Sequence, residues 1–200
     1  DTFTDIGAGL AGVRTGDADW FDFDADGDLD VLLIGFPGIT RLYQNNGGSF
    51  TEVAHNLPDL AWGNADFYDY DDDGDQDVLL IGLLSGTSTE ITRLYENNGG
   101  IFTEISTSLP ATNYGSVQWG DFDNDGDADV LISGGTAGTQ SPLTAVYIND
   151  GGTFSQEEST LPGISTGRAQ WGDYDGDSDL DFFMIGDQTA GSGFTGTLYT

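Results

Sequence analysis

Four short loops concentrate the residues able to do chemistry. They read DFDADGDLD at 22–30, DYDDDGDQD at 69–77, DFDNDGDAD at 121–129 and DYDGDSDLD at 173–181. Each has aspartate at its first, third, fifth, seventh and ninth positions, and together they hold 21 of the chain's 35 acidic residues. Carboxylates a few ångströms apart repel by about 1 kcal/mol per pair even in water. Repulsion built four times in register calls for a countercharge, which a hard dication with roughly six to eight oxygen ligands supplies. Alternate spacing lets positions 1, 3 and 5 converge while the sixth residue turns the chain. Position 7 then offers its backbone carbonyl and position 9 its carboxylate. The candidate ligands are Asp22, Asp24, Asp26, Asp28 and Asp30; Asp69, Asp71, Asp73, Asp75 and Asp77; Asp121, Asp123, Asp125, Asp127 and Asp129; and Asp173, Asp175, Asp177, Asp179 and Asp181. In the fourth loop Ser178 stands at the turn position and Gly176 two places earlier.

Calcium suits such sites better than magnesium, because the ligands are many and flexible. Zinc and copper sites draw on cysteine and histidine, and the chain has no cysteine and one histidine, His55. An EF-hand needs glutamate at position 12 and flanking helices. Here position 12 is Leu33, Leu80, Ile132 or Met184, and a strand pattern follows at once. About four calcium ions are expected, one per loop. No nucleophile pattern surrounds His55, and nearly all the aspartates are committed to loops, so no catalytic residue is assigned and the chain is not expected to be an enzyme.

The elements that position these loops repeat with them. The loops start 47, 52 and 52 residues apart. TRLYQNNGGSFTEV at 40–53 matches TRLYENNGGIFTEI at 92–105 and TAVYINDGGTFSQE at 144–157. Each unit reads as four short strands: one before the Asp loop, a continuous apolar run after it, and a hairpin turning on Asn-Asn-Gly-Gly or Asn-Asp-Gly-Gly. No stretch of ten or more residues has helical periodicity. A repeated four-stranded unit of about 50 residues is the signature of a propeller blade. The expected fold is all-β: a β-propeller of four four-stranded antiparallel blades in a single domain over 1–200, with blades near 18–54, 65–106, 117–158 and 169–200. Residues 1–6 (DTFTDI) match the fourth strand of other units, so the N-terminal strand is expected to complete the last blade and remove both sheet edges. The five-residue difference in spacing falls where later units have longer loops, at 82–93, 134–145 and 186–197.

Composition narrows the partners. A net charge of −31, with four arginines and no lysine, repels nucleic-acid phosphates and anionic lipid. No apolar run is long enough for membrane insertion. At 37% hydrophobic and 12% aromatic residues the chain is too apolar for an acidic disordered tail.

The sequence resembles the FG-GAP/VCBS repeats, found in the integrin α-subunit propeller and many secreted bacterial proteins. The resemblance is carried by Asp-x-Asp-x-Asp-Gly-x-x-Asp between the first two strands of the first three units, with Ser178 in place of the glycine in the fourth. It is strongest in WGDFDNDGDADVLISG at 119–134 and WGDYDGDSDLDFFMIG at 171–186. The family's Phe-Gly appears as Trp119-Gly120 and Trp171-Gly172, but as Trp20-Phe21 and Phe67-Tyr68 in the first two units, and its Gly-Ala-Pro element is not recognisable. The resemblance implies calcium at the first, third, fifth and ninth positions and a structural role for it.

A propeller puts the Asp loops on one face and the connections between units on the other. Variation among the units concentrates on that second face, around Gly16, Gly63, Gly115 and Gly167. Trp62, Tyr114 and Arg168 are the candidate ligand contacts there. Trp20, Phe67, Trp119 and Trp171 recur in register before the loops and are expected in the core. Arg41 and Arg93 are expected to pair with surface acids. The expected function is a calcium-stabilised extracellular or cell-surface binding, adhesion or scaffold module contacting a protein or glycan. Alternatives are a lectin, a structural subunit of a surface filament or other homo-oligomer, and an accessory domain of a polysaccharide-degrading enzyme.

Overall fold

The computed structural model describes residues 2–136, 138–139, 141–157, 161–188 and 193–200. Parts of the loops expected at 134–145 and 186–197, the end of the third unit at 158, and Asp1 lie outside the described residues. Among the described residues every regular element is a β-strand. None is a helix long and apolar enough to cross a membrane.

The first sheet is an antiparallel meander of β1 (Arg14–Phe21), β2 (Asp30–Phe36), β3 (Ile39–Asn46) and β4 (Ser49–Val53). The second unit repeats it with β5 (Leu60–Tyr68), β6 (Asp77–Leu84), β7 (Glu90–Asn98) and β8 (Ile101–Ile105). A two-residue strand, β9 (Thr112–Asn113), bonds to both β7 and β11 (Asp129–Thr136). It thereby joins the second unit to the third, which is β10 (Val117–Gly120), β11, β12 (Pro142–Asp150) and β13 (Thr153–Gln156). The last sheet has three strands, β14 (Thr166–Gly172), β15 (Asp181–Asp187) and β16 (Phe194–Tyr199).

The second strand of each unit is apolar on both sides because both of its faces are covered. In β6, Val78, Leu79, Leu80 and Ile81 are all fully buried. Val78 and Leu80 face the first sheet, packing with Leu32, Ile34 and Leu42. Leu79 and Ile81 face the third, packing with Val130, Ile132 and Tyr147. Leu131 and Val146 in turn meet Phe182 and Met184 of the fourth. The core is thus a series of layers between successive sheets.

The expected pairing of residues 1–6 with the last sheet is not found. Residues 2–13 form no strand, and Phe3 and Ile6 lie exposed. The segment is held on the first sheet instead. Leu10, Ala11 and Val13 pack on Val31, Leu33 and Tyr43, and the Ala11 N–H donates to the Tyr43 hydroxyl at 3.0 Å. A strand-like pattern sets which residues can pair; the anchoring contact sets where the segment goes. The core expectation for Trp20 is also corrected. Trp119 is 8% exposed but Trp20 is 60% exposed, because none of the described sheets packs on that side of the first one.

Candidate metal centres

Each Asp loop connects the first and second strands of its unit and folds by the same hydrogen bonds. The carboxylate at position 1 accepts two backbone N–H groups across the turn. Asp121 takes those of Asp125 (3.1 Å) and Gly126 (3.2 Å), and Asp22 and Asp69 do the same in their loops. The turn has left-handed residues at positions 4 and 6: Asn124 (φ 60°) and Gly126 (φ 102°) in the third loop, Gly176 (φ 80°) and Ser178 (φ 79°) in the fourth. The fourth loop therefore keeps the nine-residue frame. The Ser178 N–H donates to Asp173 at 3.1 Å as the glycine does elsewhere. Gly176 donates the second bond, at 2.6 Å.

This turn brings the carboxylates at positions 1, 3 and 9 together. Oxygens of Asp22, Asp24 and Asp30 lie within 4.8 Å of one another, and so do those of Asp69, Asp71 and Asp77, of Asp121, Asp123 and Asp129, and of Asp173, Asp175 and Asp181. Positions 5 and 7 stand outside this triad. Asp26, Asp73, Asp125 and Asp177 each accept the N–H two residues on, at 2.9 to 3.0 Å. Asp28, Asp75 and Asp127 accept the N–H of Gly47, Gly99 and Gly151 at 2.8, 2.7 and 3.1 Å. Position 7 thus ties the loop to the hairpin turn of its own unit. Asp179 instead accepts from Asn124 of the third loop at 3.2 Å.

Position 9 is the buried member. Asp30, Asp77 and Asp129 are wholly inaccessible and Asp181 nearly so. Asp129 accepts the N–H of Phe122 and of Asn149, both at 2.8 Å. Asp30 and Asp77 make the equivalent pair of bonds. Even so, burial pushes the Asp77 carboxyl up to about 6 and raises Asp30 and Asp129 as well. Two backbone N–H groups do not offset the desolvation of a negative charge crowded by two others. Asp24 adds a more direct sign. Its Oδ2 accepts from Gln44, while its Oδ1 is buried with no hydrogen-bond partner. An orphaned carboxylate oxygen facing two further carboxylates fits a hard cation, and the all-oxygen donor set suits calcium.

The sequence marks Asn45, Asn97 and Asn149 only as turn residues. Besides donating to position 9, each side chain bonds the carbonyl of position 8, at 3.0 to 3.1 Å. Each also accepts from the second glycine of the hairpin, at 2.8 Å. The signal was present as the asparagine recurring in register.

The FG-GAP-like repeat model matches residues 22–80 and 69–132, each match starting at the first aspartate of a loop. The chain belongs to the FG-GAP-like repeat family. Each match runs from one Asp loop into the strand after the next, so its unit is the loop with its surrounding strands. No curated protein matches the chain. A similar solved structure is described as "Cryo-EM structure of RAG in complex with one melted RSS and one unmelted RSS". The likeness covers 94% of this chain and 68% of that one at 16% identity, with a TM-score of 0.50, and concerns the fold alone.

At the opposite end of the first strands, the FG-GAP-like units surround a mouth. Thr15, Trp62 and Tyr114 adopt left-handed backbone (φ 46°, 51° and 57°). The following glycine presses on the second strand: a Cβ on Gly16 or Gly115 would overlap the carbonyl oxygen of Ile34 or Ser133. The Trp62 and Tyr114 rings are 5.1 Å apart and Phe36 is 5.8 Å from Trp62. Trp62 and Tyr114 line an open cavity of about 650 Å³ with Thr166, Arg168 and Phe194. The Arg168 guanidinium reaches Asp17 of the first unit at 3.3 Å. Asp19 and Asp66 line a smaller pocket that Arg168 also borders, and both are pushed up, to about 7 and about 6, mainly by burial. Arg41 pairs with Glu52 and Asp59, and Arg93 with Glu104, away from this mouth.

Proposed function

We propose that this chain is a calcium-stabilised binding module acting outside the cell or at its surface, with its four repeat units as blades of a propeller-type array. The observation carrying the reading is the fourfold carboxylate triad, with a buried member at position 9 and a partnerless oxygen on Asp24. A bound dication supplies the positive charge each triad lacks. The protein's own groups do the rest: positions 1 and 9 fix the loop through backbone N–H groups, and position 7 couples it to the hairpin. Calcium is abundant outside cells, which suits sites of modest affinity. Titration of metal-free protein with calcium, followed by calorimetry, tests this. Four binding equivalents are expected, and heat corresponding to none would overturn it.

The ligand surface we assign is the mouth opposite the loops. Trp62, Tyr114 and Arg168 offer stacking faces and a cation to a protein or glycan. The lectin reading is favoured over a flat adhesive face by the cavity's concavity and its size, within the range of small-ligand sites. A glycan array with wild type and Trp62→Ala separates the two: loss of a discrete sugar signal supports the lectin. No catalytic role is proposed.

A further inference from the structure

Asparagine followed by glycine is a reactive pair. The glycine nitrogen closes a five-membered ring on the asparagine Cγ, because glycine has no side chain to shield it. The chain has two such pairs, Asn46-Gly47 and Asn98-Gly99, and five Asp-Gly pairs capable of the same ring. In all seven the glycine N–H donates to a carboxylate, at 2.6 to 3.2 Å. Ring closure needs that nitrogen to lose its proton. A carboxylate is far too weak a base to take an amide proton, and its charge opposes the amide anion that would form. The bond therefore restrains the nucleophile.

Asn46 and Asn98 lie exposed at the ends of their hairpin strands. The turns hold Gly47 at φ 60° and Gly99 at φ 58°, where a bulkier residue is strained, so the fold itself demands the reactive glycine. What holds the two nitrogens is position 7 of the unit's own Asp loop. Asp28 accepts from Gly47 at 2.8 Å and Asp75 from Gly99 at 2.7 Å. The third unit has Asp150 at the same place, with the same turn (Gly151, φ 54°) and the same bond to Asp127. An aspartyl residue there is compatible with the fold.

We infer that Asn46 and Asn98 are sites of spontaneous deamidation, and that Asp28 and Asp75 set its rate. The Gly47 nitrogen passes its proton to hydroxide and bonds to the Asn46 Cγ. The bond from Cγ to the amide nitrogen breaks, and that nitrogen takes a proton from water and leaves as ammonia. Water then opens the ring at either carbonyl. One opening gives an aspartyl residue, as in the third unit. The other gives an isoaspartyl residue, which routes the main chain through one extra carbon and lengthens the turn closed by the Asn46–Ser49 pair. The same steps apply at Asn98. The inference does not depend on the ion's identity or on the mouth's ligand.

The test is peptide mass mapping of the chain after incubation with saturating calcium at mildly alkaline pH. Folded wild type is expected to deamidate at both sites at least about tenfold more slowly than the chain in urea, the worth of one hydrogen bond to a charged group. Asp28→Ala keeps the backbone carbonyl of position 7 but frees Gly47. It is expected to speed Asn46 about tenfold or more, while Asn98 keeps its wild-type rate. Asp75→Ala is expected to do the reverse, so each protein carries its own control. Asn46 reacting at the wild-type rate in Asp28→Ala overturns the inference. Equal acceleration of both sites in both variants overturns it too, because the rate then follows loosening of the whole chain rather than one bond. So does a folded wild type that reacts as fast as the chain in urea.

Discussion

The third and fourth Asp loops are nearly the same sequence in different surroundings. In the third, Asp129 bonds two backbone N–H groups, one from its own loop and one from Asn149 across the hairpin. Asp127 holds Gly151 of the same hairpin. In the fourth, among the described residues, Asp181 bonds the Tyr174 N–H, and Asp179 reaches sideways to Asn124 of the neighbouring unit. Both loops still gather a triad at positions 1, 3 and 9. The turn alone is thus enough to assemble the carboxylates. In the third unit the hairpin adds a second hold on the same loop, through Asn149 and Gly151.

The largest expected effect removes the ion from both. With calcium about 100-fold above its dissociation constant, each site contributes about 2.7 kcal/mol. For a chain of this length each kcal/mol moves the melting temperature by roughly 2–4 °C. Excess chelator is therefore expected to lower it by roughly 20 °C or more in scanning calorimetry. An unchanged melting point would remove the basis of the comparison. Next comes the buried carboxylate. Asp129→Ala strands two buried N–H groups and is expected to cost about 3 kcal/mol, against about 1–2 kcal/mol for Asp181→Ala. Equal losses in urea denaturation would show that the hairpin adds nothing.

A smaller effect distinguishes the turns. Ser178 holds φ 79° where the third loop has Gly126. Ser178→Gly is expected to stabilise by about 1 kcal/mol, and Gly126→Ser to destabilise by about the same. Opposite signs in paired urea midpoints are the readout. The smallest effect lies where Arg168 of the fourth unit meets Asp17 of the first. Asp19 has a folded pKa near 7, above its ordinary 3.8, chiefly through burial and then its bond and repulsion with Asp17. A raised carboxyl favours the fold below the ordinary value, and that contribution is lost as pH climbs through 7. Asp19→Asn is expected to match wild type near pH 4 and to melt a few degrees higher at pH 8. A variant less stable than wild type at pH 8 would contradict the assigned cause.

Much of this was legible in the sequence because the loop's spacing is rigid. Nine residues with aspartate at odd positions specify a turn, and the turn places positions 1, 3 and 9 whatever surrounds them. Position 5 was harder to read: Asp26 and its counterparts fold back on the backbone two residues on, a local competition that spacing does not reveal. Asn149 hid behind its turn role, because a residue that tolerates tight turns is not thereby marked as a donor to a carboxylate in another strand. Trp20 and residues 2–6 failed for a shared reason. Both carry the pattern of their counterparts, but burial and strand pairing need a neighbour, and the pattern does not say whether one is present.

The bonds that hold each Asp loop span short stretches of chain. Asp30 reaches 7 residues back and 15 forward, and Asp129 reaches 7 and 20. The Arg168–Asp17 pair, by contrast, links residues 151 apart. The fastening of each triad is therefore local, while neighbouring units are tied by bonds such as Asn124 to Asp179 and the first and fourth by Arg168 to Asp17. Damage to one loop should stay within one unit and its nearest neighbours, as in other stacked repeats. Such a chain fails in instalments, and a copy that has lost one fastening still presents the others in working order.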